Sequence, residues 1–138
     1  MLSRWLNAQV SSSPDCVRVE FPAQTVNMAI ARAVAAAIAA RADLTVDQIE
    51  DVRLAMDETL SHVISVAAPD SSVLCEMCVT DGIVSASIRC PVASPDIPEP
   101  NPFSWTVLSA LVGDVDVTIE NNSIVMSWSV ARDSSVQA

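Results

Sequence analysis

One stretch, residues 51–64, carries most of the information about the fold, and it reads DVRLAMDETLSHVI. Its apolar residues recur every three or four positions, as they do on the buried face of a helix. Residues four apart stack on one side of a helix, so Glu58 and His62 are neighbours. By the same spacing, Arg53 is expected to form a salt bridge with Asp57. The stretch predicts an amphipathic helix with Arg53 and Glu58 beside its buried stripe.

This helix has clear start and stop signals. Thr45 followed by Gln48 three residues later is typical of a capping box. Pro69 cannot continue a helix, so the helix is expected to run to about Ala68. The predicted buried stripe consists of Val46, Ile49, Val52, Met56, Leu60, Val63 and Ala67.

The segments on either side predict strands and two further helices. Residues 16–21 alternate between apolar and charged, which indicates a half-buried strand, and residues 26–42 form an alanine-rich helix. Asp81-Gly82 between two alternating segments is typical of a hairpin turn, and it predicts that Thr80 faces Ile83, Cys78 faces Ser85 and Cys75 faces Ile88. A short helix over 103–112, with Ser104 as a possible cap, then precedes strands over 114–120 and 124–131.

The order of these elements predicts an α+β two-layer sandwich, with a mostly antiparallel sheet and the helices on one face. We expect a flexible leader over residues 1–14, a single domain over 15–132 and a loose tail over 133–138. Residues 91–102 hold five of the eight prolines and predict a stiff loop.

The composition excludes some classes of partner. The net charge is −10, from 17 acidic residues against seven arginines and no lysine. Such a chain is a poor binder of nucleic acid, because phosphate contacts need basic side chains. A protein partner with basic patches is one explanation of the acidity, and solubility alone is the other.

No apolar run approaches the ~20 residues that a membrane-spanning helix needs. We therefore predict a cytoplasmic protein, not bound to membranes, with mostly reduced cysteines. Cys75 and Cys78 are three apart on a strand and point to opposite faces, so they cannot hold one metal ion, and no metal site is predicted. Cys75 and Cys90 fit small core residues, and Cys78 on the polar face is a candidate redox sensor.

The helix motif and the element order together resemble the anti-sigma-factor kinases, the switch-protein kinases of the GHKL ATPase superfamily. The family motif reads roughly Leu-Ala-hydrophobic-Asp-Glu-x-x-x-Asn, with the Glu as general base and the Asn as a magnesium ligand. Glu58 stands at the Glu position, and His62 replaces the Asn. Asp96 occupies the position of the adenine-binding Asp, within a segment that lacks the family's glycines.

The departures from the family pattern affect every part of the nucleotide site. Phe103 and Trp105 follow a proline where a glycine-rich loop would cradle phosphates through bare backbone N–H groups. His62 also removes an oxygen ligand suited to magnesium. The resemblance therefore implies a degenerate site with no cofactor, and ATP with magnesium is the weaker alternative. Phe103 and Trp105 either cover the core, fill the vacated pocket or anchor a partner.

The resemblance implies an anti-sigma factor that sequesters an alternative RNA polymerase sigma factor and is released by an anti-anti-sigma protein of the STAS type. It also implies a homodimer, with Met28 and Arg32 at or near the dimer and sigma-factor interface. One alternative is an active ATP-dependent serine kinase with Glu58 as general base beside His62. In the other readings, Glu58 and His62 are an ordinary surface pair, or the domain is an orphan interaction module.

Overall fold

The computed structural model describes residues 15–96 and 101–133. The predicted leader, nearly all of the predicted tail and residues 97–100 of the proline-rich loop lie outside the described residues. The elements in chain order are β1 (Asp15–Pro22), one 3-10 turn (Thr25–Asn27), α1 (Met28–Arg41), α2 (Val46–Ser65), β2 (Ser72–Thr80), β3 (Ile83–Pro91), α3 (Pro102–Leu111), β4 (Gly113–Glu120) and β5 (Ser123–Ala131).

The five strands form one antiparallel sheet in the order β1-β2-β3-β5-β4. Alternate residues of these strands join the buried faces of the three helices in a single hydrophobic core. The α+β sandwich is confirmed. The predicted hairpin register is also confirmed, and Asp81 and Gly82 both adopt the positive φ angles, 51° and 76°, that its tight turn needs.

Helix α2 begins as predicted and ends earlier than predicted. The capping box is present, since the backbone N–H of Gln48 donates to Thr45 Oγ1 and the N–H of Thr45 donates to Gln48 Oε1, both at 3.1 Å. The helix ends at Ser65 because the next residues bond to another segment. The N–H of Ala68 donates to the carbonyl oxygen of Pro91, and that of Ala93 donates to the carbonyl oxygen of Val66.

The predicted buried stripe of α2 is largely confirmed. Val52, Met56, Leu60 and Val63 are fully buried, whereas Val46 is 82% exposed. Including Val46 in the core was wrong, because it is the first residue of the helix and lines the groove between α1 and α2.

Helix α3 is capped by a different residue from the one predicted. Asn101 Oδ1 accepts a hydrogen bond from the backbone N–H of Phe103 at 2.8 Å, and Pro102 occupies the first helical position. Ser104 lies inside the helix, so its predicted role as the cap was wrong. Asn is among the best N-cap residues, and proline suits the first turn because its missing N–H would have no helical partner.

One tryptophan joins the two layers in the centre of the molecule. Trp128 on β5 is 2% exposed, and its indole N–H donates to Thr59 Oγ1 on α2 at 2.9 Å. The Thr59 hydroxyl donates in turn to the carbonyl oxygen of Ala55 at 2.7 Å.

Among the helices of the described residues, none combines the length and apolar character that crossing a membrane requires.

Candidate functional site

The residues of the helix motif face a very small cavity. Glu58 and His62 lie one turn apart on α2 and line it together with Ser104, Trp105 and Leu108 of α3 and Met126 of β5. The predicted proximity of Glu58 and His62 is thus observed. The cavity volume is about 10 Å³, which leaves room for about one water molecule.

The cavity is small because α3 packs directly over this face of α2. Asn101 caps α3 and Pro102 is its first residue, so the two residues define where the helix begins. The Thr106 hydroxyl stabilises the first turn by donating to the carbonyl oxygen of Pro102 at 2.9 Å. Leu108 is then buried, and Trp105 is half-buried beside Glu58 and His62. Side chains of α3 therefore occupy most of the space beside Glu58.

The imidazole of His62 is poorly solvated. Its Nε2 atom is buried and has no hydrogen-bond partner within the part of the chain that the structure describes. Burial lowers the pKa of His62, because the charged form loses hydration. In this arrangement Nε2 makes no hydrogen bond to the Glu58 carboxylate, and burial favours the neutral imidazole.

This lowered pKa gives a pH dependence of stability. When the pKa is lower in the folded protein than in the unfolded chain, the unfolded chain binds the proton first as the pH falls. The free energy of unfolding should therefore fall as the pH drops through the unfolded-state pKa of about 6.5, with a slope of at most about 1.4 kcal/mol per pH unit. His62 is the only histidine of the chain, so urea unfolding of His62→Gln should lack this slope. An equal slope in both proteins would contradict the prediction.

The other residues predicted for a nucleotide site lie apart from this cavity. Asp96 is exposed after β3, and its backbone N–H donates to Ser94 Oγ at 3.3 Å; it does not line the cavity. Phe103 is 75% exposed on the first turn of α3. Of the two aromatic residues, Trp105 is therefore the one that fills the space beside Glu58. Phe103 is free to contact another molecule.

The salt bridge predicted between Arg53 and Asp57 was wrong. Asp57 Oδ1 instead accepts a hydrogen bond from Arg32 of α1 at 2.7 Å, and Arg53 pairs with Glu50 one turn back at 3.0 Å. Arg32 approaches from a neighbouring helix, which helical spacing within α2 cannot reveal. The Arg32–Asp57 pair joins α1 to α2, and about a third of each side chain remains exposed.

Beside this ion pair, α1 and α2 form an open groove of about 700 Å³. Ala29, Arg32 and Ala33 of α1 line one wall, and Val46 of α2 lines the other. Met28 is half-buried and packs against the core. Of the two predicted interface residues, Arg32 therefore lines a surface groove, whereas Met28 contributes to the packing of the core.

The expectation of reduced cysteines was wrong for two of the four. Cys16 and Cys78 form a disulfide bond across β1 and β2, and Cys75 and Cys90 are free and buried, as expected of core residues. Cys16 was not among the predicted functional residues. Its signal was the alternation of the first strand, which places Cys16 on the same polar side as Arg18 and Glu20.

Among the described residues, no group of three or more His, Cys, Asp or Glu side chains is arranged to hold a metal ion. Fold and site together define a GHKL-like α+β domain whose motif helix is retained and packs against α3 at Glu58 and His62.

The comparisons with known proteins agree with this class, although no protein-family model matches the chain. The chain is 35% identical over 101 residues to the anti-sigma-F factor RsbW of Mycobacterium tuberculosis, as found in two strains. The match covers 72% of this chain and 59% of the relative. The resemblance to the anti-sigma-factor kinases is thus confirmed, and the chain is a relative of the RsbW anti-sigma factors.

Proposed function

We propose that the chain is an anti-sigma factor that sequesters an alternative RNA polymerase sigma factor in the cytoplasm. The observation that carries the proposal is the 35% identity to the anti-sigma-F factor RsbW. By the same relationship, an anti-anti-sigma protein of the STAS type releases the sigma factor. Because the matched region is little more than half of the relative, these partners are proposals for this chain.

The charge distribution supports a basic partner. Every arginine of the described residues has a carboxylate oxygen within 4 Å, so none is a free cation. These arginines are Arg18, Arg32, Arg41, Arg53, Arg89 and Arg132. The surplus of acidic residues therefore remains uncompensated on the surface. Such a surface steers a protein with basic patches toward it and fits a DNA-binding sigma factor.

The small volume of the cavity supports binding of the sigma factor without any nucleotide. A space of about 10 Å³ beside Glu58 cannot admit a nucleotide unless α3 moves. No observation favours the kinase alternative in its place. In this proposal, Glu58 and His62 are remnants of an ancestral site that now pack against α3.

The outer face of α1 supports a homodimer. Helix α1 buries Ala31, Ala35 and Ile38 against the core, yet Ile30 on its other side is 51% exposed. The nearby Val26 is 74% exposed. Contiguous exposed apolar side chains of this kind mark candidate protein–protein interfaces. We propose that a second copy of the chain covers this face.

Affinity capture of the tagged chain from its own host, followed by binding of the purified candidate, tests the function. The expected result is a stoichiometric sigma factor whose Kd changes less than about twofold when ATP and magnesium are added, since a ligand that does not bind cannot be coupled to the affinity for another. Capture of a STAS-type protein alone would retain partner switching and contradict direct sequestration. An absolute requirement for ATP would contradict the degenerate site.

Arg32 provides a specific test of the interface. We expect Arg32→Ala to raise the Kd for the sigma factor about tenfold, a typical loss for one arginine anchor. Arg53→Ala is the matched control, because Arg53 lines the same groove and, within residues 15–96 and 101–133, forms an ion pair with Glu50 of its own helix and with no other residue. Thermal unfolding of both variants separates a binding effect from a loss of the Arg32–Asp57 bridge. Equal affinities of the two variants would contradict a role for Arg32 in binding.

A further inference from the structure

The disulfide lies on the open side of the sheet, away from the helices. Cys16 and Cys78 are directly opposed in β1 and β2, with their Cα atoms 4.0 Å apart. Cys16 is exposed and Cys78 is partly exposed. Solution thiols can therefore approach this bond, and exposed disulfides are more often labile or regulatory than buried ones.

The bond is located where β1 is held least firmly by packing. Within the described residues β1 is an edge strand that pairs only with β2. Phe21 near its end is buried, Val17 and Val19 are half-buried, and Asp15 at its start is exposed. The ion pair of Asp15 with Arg41 is also exposed, and such pairs contribute little. The disulfide is therefore the strongest link between the start of β1 and the rest of the sheet.

We propose that Cys16 and Cys78 are a reversible thiol–disulfide site that holds the first half of β1 on the sheet when oxidised and lets it detach when reduced. Detachment would bare the outer edge of β2, whose free N–H and C=O groups can pair with a strand of another protein. The inference goes beyond the anti-sigma function and does not depend on it.

The chemistry is thiol–disulfide exchange with a low-molecular-weight thiol. A thiolate attacks the more exposed sulfur, that of Cys16, and the bond to Cys78 breaks, which leaves a mixed disulfide and the Cys78 thiolate. A second thiol then displaces Cys16. In total, two molecules of the low-molecular-weight thiol are oxidised to one disulfide. The Cys16–Cys78 bond is reduced to two thiols with the two electrons and two protons released.

The two remaining cysteines do not compete in this exchange. Cys75 and Cys90 are 4% and 0% exposed on the opposite face of the sheet. Burial raises the pKa of the Cys75 thiol to about 12 and also raises that of Cys90, which disfavours the reactive thiolate. The site is therefore confined to one cysteine pair, and the buried pair provides an internal reference.

Counting thiols in the full-length protein tests the site. After treatment with oxidised glutathione, unfolding and alkylation, we expect two modified cysteines, Cys75 and Cys90, and one linked peptide pair containing Cys16 and Cys78. After treatment with dithiothreitol we expect four modified cysteines. Four free thiols in the oxidised sample, another pairing or a bond between two chains would overturn the proposal.

Amide hydrogen exchange of the folded protein tests the detachment. Reduction should speed exchange in residues 16–19 at least about tenfold and leave β3 and β5 unchanged. Cys16→Ser and Cys78→Ser should exchange at the fast rate under both conditions, whereas Cys75→Ala should keep the wild-type response. The wild-type comparison stands even if a variant fails to fold. Equal exchange of β1 in the oxidised and reduced proteins would overturn the switch.

Discussion

Replacing Trp128 with alanine is expected to remove most of the stability of the domain. The side chain is 2% exposed in the centre of the sheet, and its loss leaves a large cavity between the layers. Such substitutions cost about 3–5 kcal/mol, out of about 5–15 kcal/mol for a typical domain. Urea unfolding should show this loss. Trp105→Ala is the control of equal size, and it should cost clearly less because Trp105 is only half-buried.

The hydrogen bond of Trp128 can be measured separately. Thr59→Val keeps the shape of the side chain but leaves the indole N–H buried without its acceptor, which should cost about 1–3 kcal/mol. Thr59→Ser retains the hydroxyl and should cost less. In a Trp128→Phe background the indole N–H is absent, so adding Thr59→Val should cost little. A full cost for Thr59→Val in that background would contradict the role of the bond.

Elements with local signals could be predicted from the sequence. The Asp81-Gly82 turn fixes the register of its hairpin. Both turn positions require positive φ, and few residue types other than Gly, Asn and Asp adopt it readily. Thr45 and Gln48 define the start of α2 by a contact between residues three apart. The motif helix and the element order then led to the correct fold class.

The errors involve contacts between segments distant in sequence. Helix α2 ends early because residues 66–68 bond to the segment after β3. Asp57 pairs with Arg32 of another helix, and helical spacing predicts only partners within α2. The disulfide depends on the register of β1 against β2. No turn fixes that register, because α1 and α2 lie between the two strands in the sequence.

At the candidate site, too, local contacts could be predicted and contacts between helices could not. Glu58 and His62 are one turn apart on a single helix, so their proximity followed from spacing. How far α3 closes over them did not follow, because it depends on packing between α2 and α3. The sequence left open whether Phe103 or Trp105 fills the pocket, and the helical phase set by the Asn101 cap selects Trp105.

Placing a charge on the outer face of α1 is expected to abolish the proposed homodimer. Ile30 is 51% exposed in the free chain and would be buried between two copies. Ile30→Glu would place two carboxylates in that apolar contact, so the dimer Kd should rise at least about 100-fold. Sedimentation equilibrium of the chain alone measures this without any sigma factor.

Ile119→Glu is the matched control for this substitution. Ile119 lies on edge strand β4 and is 43% exposed, so it receives the same change at a similar exposure on a different surface. This variant should dimerise like the wild type, and both variants should unfold at similar temperatures. If Ile119→Glu dissociates the dimer and Ile30→Glu does not, β4 forms the interface. A wild-type chain that is monomeric throughout the concentration series would contradict the proposed homodimer.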